Sequence, residues 1–260
     1  MLDLKDKAAL VTGGTRGLGR AIAFELAKLG ATIALNYRRD EASAERTLSE
    51  IRALAPKSFL VKADLEDDTA TRQMVADAAR QFGGRLDILI ANAAATAFKP
   101  LLQMKPHNLV RTFALSVNGF VAMIQEANKV MGEGGRILMI SGVDSIRYLP
   151  LHGALAAAKA ALEAMVRDFA FELGPRGITV NGINVGYIDT DSARMYAESL
   201  GDTYEEFSRR SRERCALKRL PRLEEIAAVA ALICLPATSY LTAQTIMVDG
   251  GLSLAFPIAR

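Results

Sequence analysis

One stretch of this chain, residues 140–163, collects side chains that could move protons beside a bound substrate. It reads ISGVDSIRYLPLHGALAAAKAALE, with Ser141 at a strand end, Tyr148 and His152 on the loop that follows, and Lys159 on the next helix. Tyrosine and histidine can donate a proton to a reacting group, and a lysine can keep a positive charge near a carbonyl. These residues are therefore the candidates for the catalytic end of a site.

A glycine-rich segment near the start of the chain could bind phosphate groups. The sequence TGGTRGLG at 12–19 lies between a short apolar run at 7–12 and a helical pattern at 20–29. Glycines at such a junction allow a tight turn and let a pyrophosphate approach the helix N-terminus. The residues that we expect to contact a dinucleotide here are Gly13, Thr15, Arg16, Gly17, Leu18 and Gly19.

Composition argues against several other classes of protein. The 260 residues include 32 basic and 29 acidic side chains, and the net charge of +3 is too balanced to indicate nucleic-acid binding. No apolar run approaches the roughly 18 residues of a membrane span, so we expect a cytoplasmic protein with no membrane partner. Cys215 and Cys234 lie far apart with no histidine nearby, so neither a disulfide framework nor a metal site is indicated.

Strand and helix patterns alternate along the chain. Strands are predicted at 7–12, 32–36, 58–62, 88–91, 136–140, 179–184 and 245–248, and helices at 20–29, 42–54, 69–82, 113–131, 154–173 and 223–234. This alternation predicts an α/β fold: a single doubly wound parallel sheet of about seven strands, with helices on both faces and ligands at the carboxyl ends of the strands. We expect one dinucleotide-binding domain over residues 1–260. The polar, arginine-rich segment 187–222 within it is predicted to be a substrate lid or, alternatively, a solvated helix.

The TGxxxGxG spacing of the glycine segment resembles that of the short-chain dehydrogenase/reductase family. The resemblance extends over the whole chain, through KADL at 62–65, ANAA at 91–94, SVNG at 116–119, AAAK at 156–159, VGYIDT at 185–190 and VDGG at 248–251. It implies a Rossmann fold that binds a nicotinamide nucleotide. It also implies a homotetramer, paired through the long helices at 113–131 and 154–173 and through the last strand.

The resemblance also implies nucleotide contacts outside the glycine segment. These contacts are made by Asp64, Leu65, Asn92, Ile188, Thr190 and Lys159. Among them, Asp64 would bind the adenine ring, Asn92 would hold the strand end on the nicotinamide side, and Thr190 would meet the nicotinamide amide or a nearby phosphate.

The end of the second strand favours NADPH over NADH. An NAD site requires a carboxylate at that strand end for the ribose hydroxyls, whereas a 2′-phosphate requires arginine. Here the strand ends NYRR at 36–39, so that Arg38 and Arg39 follow it, and Arg16 in the glycine segment completes a clamp. Asp40 lies too far beyond the end of the second strand to accept the ribose hydroxyls. NADPH is the expected cofactor.

The proton donor that the family usually employs is missing from its position. That donor is a tyrosine four residues before the active lysine, with a serine thirteen residues before the tyrosine; counted from Lys159, these positions hold Leu155 and Gly142. Ser141 comes one residue early, and on a strand its side chain would point to the opposite face. Since leucine cannot donate a proton, ketone reduction by a lysine-assisted tyrosine is not expected. Lys159 could still hold the nicotinamide ribose, with Asn118 ordering a water, or it could be a solvated helix residue.

Around the position of the missing tyrosine, the chain resembles one branch of the family. The segments SIRYL at 145–149 and KAALEA at 159–164 resemble the enoyl-acyl-carrier-protein reductase III branch, whose working tyrosine stands seven residues before the lysine, where this chain has His152. Enoyl thioester reduction gathers negative charge on the thioester oxygen, so it requires a hydrogen-bond donor to an enolate. His152 could donate, or Tyr148 could serve instead. Alternatively, His152 faces solvent and Tyr148 is a packed wall residue.

These observations predict an NADPH-dependent oxidoreductase that reduces the double bond of an enoyl thioester or a related enone, as in fatty acid biosynthesis. The arginines of segment 187–222 would suit an acyl carrier protein or the phosphates of coenzyme A, although small molecules such as steroids, sugars or polyketides stay open as substrates. Two other functions stay open. One is non-redox enolate chemistry, such as a cyclisation, dehydration or isomerisation, and the other is that of a nucleotide-binding pseudoenzyme.

Overall fold

A parallel β-sheet forms the centre of the molecule in the computed structural model, which describes residues 2–254. In chain order the strands are β1 (Ala8–Val11), β2 (Thr32–Tyr37), β3 (Phe59–Lys62), β4 (Ile88–Ala91), β5 (Arg136–Gly142), β6 (Thr179–Val185) and β7 (Thr245–Val248). Within the described residues these seven strands lie in the order β3-β2-β1-β4-β5-β6-β7. The order reverses direction between β1 and β4, which is where ligands bind in folds of this kind.

Helices cover both faces of the sheet. They are α1 (Gly17–Lys28), α2 (Glu41–Arg52), α3 (Asp68–Gln81), α4 (Pro106–Phe113), α5 (Gly119–Ala127), α6 (Gly153–Leu173), α7 (Asp191–Ser199), α8 (Tyr204–Arg214) and α9 (Leu223–Cys234). On one face, Ile22 and Leu26 of α1 pack with Ile226 of α9 in one apolar cluster, and on the other, Phe120 of α5 packs with Val166 of α6 in a second. The predicted doubly wound α/β sheet with helices on both faces is confirmed.

The long helix predicted at 113–131 is wrong in its extent. The structure has α4 up to Phe113, a π-helical turn over Ala114–Asn118, and α5 from Gly119 to Ala127. A Cβ added at Gly119 would lie 3.2 Å from Leu65 O, so this glycine lets the helix approach the loop after β3. The wider π turn changes which side chains of this region face inward.

The predicted lid segment, 187–222, contains two of the helices, α7 and α8. Thr203 and Glu206 form a capping box that starts α8. Several arginines of the segment already have carboxylate partners: Arg209 contacts Glu213 at 2.8 Å, and Arg210 pairs with Asp202. Among residues 2–254, no helix combines the length and apolar character needed to cross a membrane.

Candidate active site

A cleft of about 550 Å³ opens at the carboxyl edge of the sheet. Residues that follow each of the strands β1 to β6 line it, together with the start of α6 and parts of α7 and α8. This volume lies within the range of about 300–1,000 Å³ typical of small-molecule sites. The cleft therefore joins the predicted nucleotide end to the predicted catalytic end.

The glycine segment adopts the backbone that its sequence predicts. Gly13 and Gly17 have φ of +58 and +52, a region that side chains with a Cβ rarely enter. At Gly19, an added Cβ would overlap Gly13 O and lie 2.6 Å from Asn92 Nδ2. The glycines therefore allow both the turn and the close contact between the loop and the end of β4.

Two asparagines hold this loop in place. Asn92 Nδ2 donates to Thr12 O at 3.0 Å, which ties the end of β4 to the end of β1. Asn36 Oδ1 accepts from the Gly13 N–H at 3.2 Å, and Asn36 is buried in β2. Sequence reasoning did not select Asn36, although a buried polar side chain within an apolar strand was a usable signal.

The N-terminus of α1 is open to an anion. Arg16 occupies the N-cap without a side-chain cap, and the first turn contains no acidic residue, so the free N–H groups and the helix dipole favour a negative group. Arg16, Arg38 and Arg39 all line the cleft. Arg16 Nη1 lies 3.7 Å from Asp191 Oδ2, whereas Arg39 has no carboxylate partner within residues 2–254. Three arginines and the helix terminus thus border the part of the cleft where a phosphate would bind.

Arg38 is already engaged in an ion-pair network. Its Nη1 lies 3.0 Å from Glu66 Oε1 and 3.6 Å from Asp64 Oδ2, while Arg111 Nε contacts Glu66 Oε2 at 2.7 Å. Hydrogen bonding to Arg111 is the main cause that holds the pKa of Glu66 below its usual range. Arg38 must therefore share its charge with Glu66, which the sequence did not predict.

The remaining predicted nucleotide residues also border the cleft. Asp64, Leu65, Ile188 and Thr190 all line it. Asp64 Oδ1 accepts from the Glu66 N–H at 3.1 Å, and the Thr190 hydroxyl accepts from the Ala193 N–H as the N-cap of α7. Both side chains are thus oriented by local backbone contacts.

Lys159 reaches the catalytic end of the cleft from the first turns of α6. Its side chain is only 7% exposed, and Nζ donates to Ile140 O at the end of β5. Burial lowers the pKa of Lys159, and the negative charges of Asp144 and Glu163 partly offset this. Leu155, one helical turn earlier, lines the cleft with an apolar side chain.

The hydroxyl of Ser141 is committed to a neighbour. It donates to Glu163 Oε1 at 2.5 Å, and the same oxygen accepts from Ser145 Oγ at 2.7 Å and Asn184 Nδ2 at 2.8 Å. Glu163 does not line the cleft. This network ties β5, β6 and α6 together, which is a positioning role for Ser141.

Asp144 is a residue that sequence reasoning missed. It lies in the short 3₁₀ turn after β5, lines the cleft, is 7% exposed, and has no hydrogen-bond partner for Oδ2 within the described part of the chain. Burial raises its pKa, although the positive charges of His152 and Lys159 oppose the shift. Its position directly after a strand, at the ligand-binding edge of a parallel sheet, was the available signal.

His152 precedes α6 and faces an aromatic group in the cleft. Its ring lies 4.1 Å from that of Tyr196, nearly perpendicular, and 5.1 Å from that of Phe98. Nδ1 lies 3.3 Å from Pro150 O. Burial lowers the pKa of His152, and the Asp144 charge opposes this. The neutral imidazole is therefore favoured near neutral pH.

The structure does not bring Tyr148 or Asn118 to the site. Tyr148 is 89% exposed and does not line the cleft, because it lies on the outer side of the loop. Asn118 ends the π turn with an exposed side chain, whereas Ser116 is buried and its hydroxyl has no partner within residues 2–254. The placements predicted for Tyr148 and Asn118 are corrected for these reasons.

Comparisons with known proteins agree with this architecture. Residues 13–253 match the sequence family described as enoyl-(acyl carrier protein) reductase. The chain is 36% identical to a 1-cyclohexenylcarbonyl-CoA reductase of Streptomyces collinus over 251 residues, which cover 96% of this chain and 88% of the relative. It is 32% identical to versicolorin reductase 1 of Aspergillus parasiticus over 254 residues, which cover 95% and 97%. A crystal structure of a short chain dehydrogenase from Burkholderia cenocepacia in complex with NADP has a TM-score of 0.88 at 32% identity and covers 96% of this chain and 98% of that one.

Proposed function

Because this chain belongs to the short-chain dehydrogenase/reductase family, we propose that it is an NADPH-dependent reductase of the carbon–carbon double bond in an enoyl thioester. The observation that carries the proposal is the continuous cleft. At one end are the glycine loop and three arginines, and at the other a buried lysine and a histidine, with Leu155 in place of a hydroxyl donor. Such a cleft suits hydride transfer to a substrate whose charge develops on an oxygen.

The residues at the nucleotide end fit NADPH. The α1 N-terminus and the turn at Gly13 and Gly17 would hold the pyrophosphate, and Arg16 and Arg39 would meet the 2′-phosphate. Arg38 would join them while it stays paired with Glu66. When bound, the reduced nicotinamide supplies the hydride. A neighbour in the structural comparison is described with NADP, which supports the choice.

The catalytic end would stabilise the enolate. Lys159 places Nζ at the end of β5, where it donates to Ile140 O, and His152 presents a ring to the same cleft. In enoyl thioester reduction the hydride goes to the β-carbon, and positive charge near the thioester oxygen then lowers the barrier in a site with little water. Ordinary ketone reduction is less suited, because the cleft has Leu155 where a phenol would act.

The substrate that we propose carries an apolar, preferably cyclic, acyl group. The rings of Phe98, His152, Tyr196 and Phe207 form a contiguous aromatic wall, with centroid distances of 4.1 to 5.5 Å. Such a wall suits a flat or alicyclic group. A relative is described as acting on 1-cyclohexenylcarbonyl-CoA, which supports a thioester of coenzyme A, and the family description supports acyl carrier protein as the alternative carrier.

NADPH oxidation tests the proposal directly. The substrates are crotonyl-CoA, 1-cyclohexenylcarbonyl-CoA and the matching acyl-carrier-protein thioesters, with a simple ketone as the contrast. We expect turnover of at least one enoyl thioester, a large loss in Lys159→Ala and His152→Ala, and little change in Tyr148→Phe, because Tyr148 lies outside the cleft. Binding of NADPH without turnover of any thioester would contradict the proposal.

Non-redox enolate chemistry is the second candidate. A neutral His152 whose Nδ1 donates to Pro150 O leaves Nε2 as a base, which could remove an α-proton in an isomerisation. The test is deuterium exchange at the α-carbon of a saturated thioester, measured without nucleotide. Exchange at a rate comparable to any reduction would favour this function over the reductase.

A further inference from the structure

Asp144 fills the space in front of Gly142, the position at which the family resemblance expects a serine hydroxyl. A Cβ added at Gly142 would lie 2.5 Å from Asp144 Oδ1. The backbone of Gly142 is extended, with φ −149 and ψ 156, a conformation open to any residue. A side chain at this position would therefore meet the Asp144 carboxyl, whereas the backbone itself does not demand glycine.

The other oxygen of this carboxyl, Oδ2, is buried and has no hydrogen-bond partner within residues 2–254, although Asp144 borders the cleft. A buried polar atom without a partner is costly, typically about 1 to 3 kcal/mol. A buried carboxyl oxygen at the wall of a ligand cleft can recover this cost by bonding to the bound molecule.

The neighbours of Asp144 are also ionisable or hydroxylated, and most are otherwise engaged. Lys159 and Glu163 face it from α6, His152 from the start of that helix, and Tyr187 and Tyr196 from beyond β6. Glu163 accepts three hydrogen bonds from Ser141, Ser145 and Asn184, and Tyr196 Oη donates to Pro150 O at 3.0 Å. Asp144 is the acidic group of this set that lines the cleft, whereas Glu163 lies outside it. Its raised pKa, caused by burial, favours the protonated form that a donor needs.

We propose that Asp144, as a neutral carboxylic acid, is the proton donor to the substrate enolate in this cleft. The assignment rests on the proposed enoyl thioester reduction. It gives the site an acid where the family resemblance expects a serine and a tyrosine but this chain has Gly142 and Leu155. Lys159 then stabilises the negative charge of the enolate, and His152 relays a proton back to Asp144.

The proposed step transfers one hydride and one proton to the substrate. The β-carbon receives a hydride, with its electron pair, from the reduced nicotinamide, and the π pair of the C=C bond moves toward the thioester carbonyl. The enolate oxygen takes the proton from Asp144, whose O–H electron pair stays on the carboxylate, and the enol tautomerises to the saturated thioester. The nicotinamide is oxidised, the substrate gains one hydride and one proton, and Asp144 regains its proton from water. With its hydrogen on Nδ1, His152 offers Nε2 to pass that proton inward.

The variant Asp144→Asn tests the assignment with two readouts. Infrared difference titration of the nucleotide-free protein should show a protonated-carboxyl band that disappears above the usual Asp pKa of about 3.9, and Asp144→Asn should lack this band. In the NADPH assay the same variant should lose kcat by about 100-fold or more, the typical contribution of a general acid, while its NADPH affinity measured by calorimetry stays unchanged. Asp168→Asn, an exposed carboxyl on α6, is the matched control and should change none of these quantities.

The outcomes separate this assignment from the proposed function. If the parent protein reduces an enoyl thioester but Asp144→Asn keeps its kcat, or if the carboxyl band is absent from the parent, the assignment to Asp144 fails alone. If Tyr187→Phe abolishes turnover and Asp144→Asn does not, the donor is the phenol of Tyr187, which also lines the cleft. If the parent reduces no enoyl thioester at all, the proposed function fails, and the role of Asp144 in that reaction fails with it.

Discussion

Substitution of Gly142 by alanine should destabilise the protein, because the added methyl group would meet the Asp144 carboxyl. The Cβ would lie 2.5 Å from Asp144 Oδ1, inside van der Waals contact, and overpacking of a buried site costs about 1 to 3 kcal/mol. The extended backbone accepts alanine, which by itself stabilises by about 0.4 to 1 kcal/mol through the unfolded chain. We expect a net loss of about 1 kcal/mol, or a Tm lower by about 2 to 4 °C.

A double-mutant cycle isolates the contact that causes this loss. In an Asp144→Ala background the carboxyl is absent, so Gly142→Ala should become neutral or stabilising by up to about 1 kcal/mol. The coupling free energy between the two positions should then be about 1 to 3 kcal/mol. Gly132→Ala is the matched control, because a Cβ there meets no atom within 4 Å, and it should cost nothing.

The free energy of unfolding of each variant is measured by urea unfolding at pH 7, monitored by circular dichroism. All the variants are compared at one protein concentration, because association of subunits would otherwise shift the apparent stability. Equal effects of Gly142→Ala in the parent and in the Asp144→Ala background would refute the reasoning. That result would mean that the Asp144 carboxyl is not held in front of Gly142. The geometric argument for Asp144 as the donor would then be lost as well.

Asp144, Asn36 and Phe171 each allow a further test of the structure. The pKa of Asp144 is raised in the folded state by burial, so the stability that its neutral form contributes is present at acid pH and is lost as the pH rises through the folded pKa. Urea unfolding between pH 4 and pH 8 should therefore show Asp144→Asn gaining stability relative to the parent as the pH rises. A constant difference in the free energy of unfolding would contradict this. Asn36→Ala removes the acceptor of the Gly13 N–H and should weaken NADPH binding about fivefold by calorimetry, for a loss of about 1 kcal/mol, whereas unchanged affinity would show that the loop holds its shape without Asn36. Phe171 on α6 is 86% exposed, and if α6 pairs subunits as the family resemblance implies, Phe171→Glu should lower the sedimenting mass; an unchanged mass would place the interface elsewhere.

The parts of the site that were predictable are those that depend on local sequence. The glycine segment was predicted to turn between β1 and α1, and the structure gives Gly13 and Gly17 the positive φ angles that only glycine adopts readily. The sheet was predicted from strands separated by helices, because parallel strands need crossover connections. Lys159 was predicted from its spacing and lies at the cleft. These features depend on spacing along the chain and on backbone preference.

The errors concern side-chain direction and partners. Tyr148 and His152 lie four residues apart on one loop, yet only His152 faces the cleft, since the loop turns between them. Asn118 was predicted to order a water near Lys159, but the structure leaves its side chain exposed and buries Ser116. Arg38 was predicted as part of a phosphate clamp, and nothing in the sequence indicated its ion pair with Glu66, 28 positions later. Local patterns do not encode such contacts between distant segments.

The sequence by itself determined the fold class, the glycine turn between β1 and α1 and the absence of a tyrosine at position 155, because these follow from residue identity and spacing. Only the tertiary structure decided which side chain fills the space in front of Gly142. The turn after β5 brings the Asp144 carboxyl back over that strand end, within 2.5 Å of where a side chain would begin, and α6 brings Lys159 beside it. The physical reason is that a buried charge acquires its properties from the groups packed around it, and packing assembles those groups from several elements.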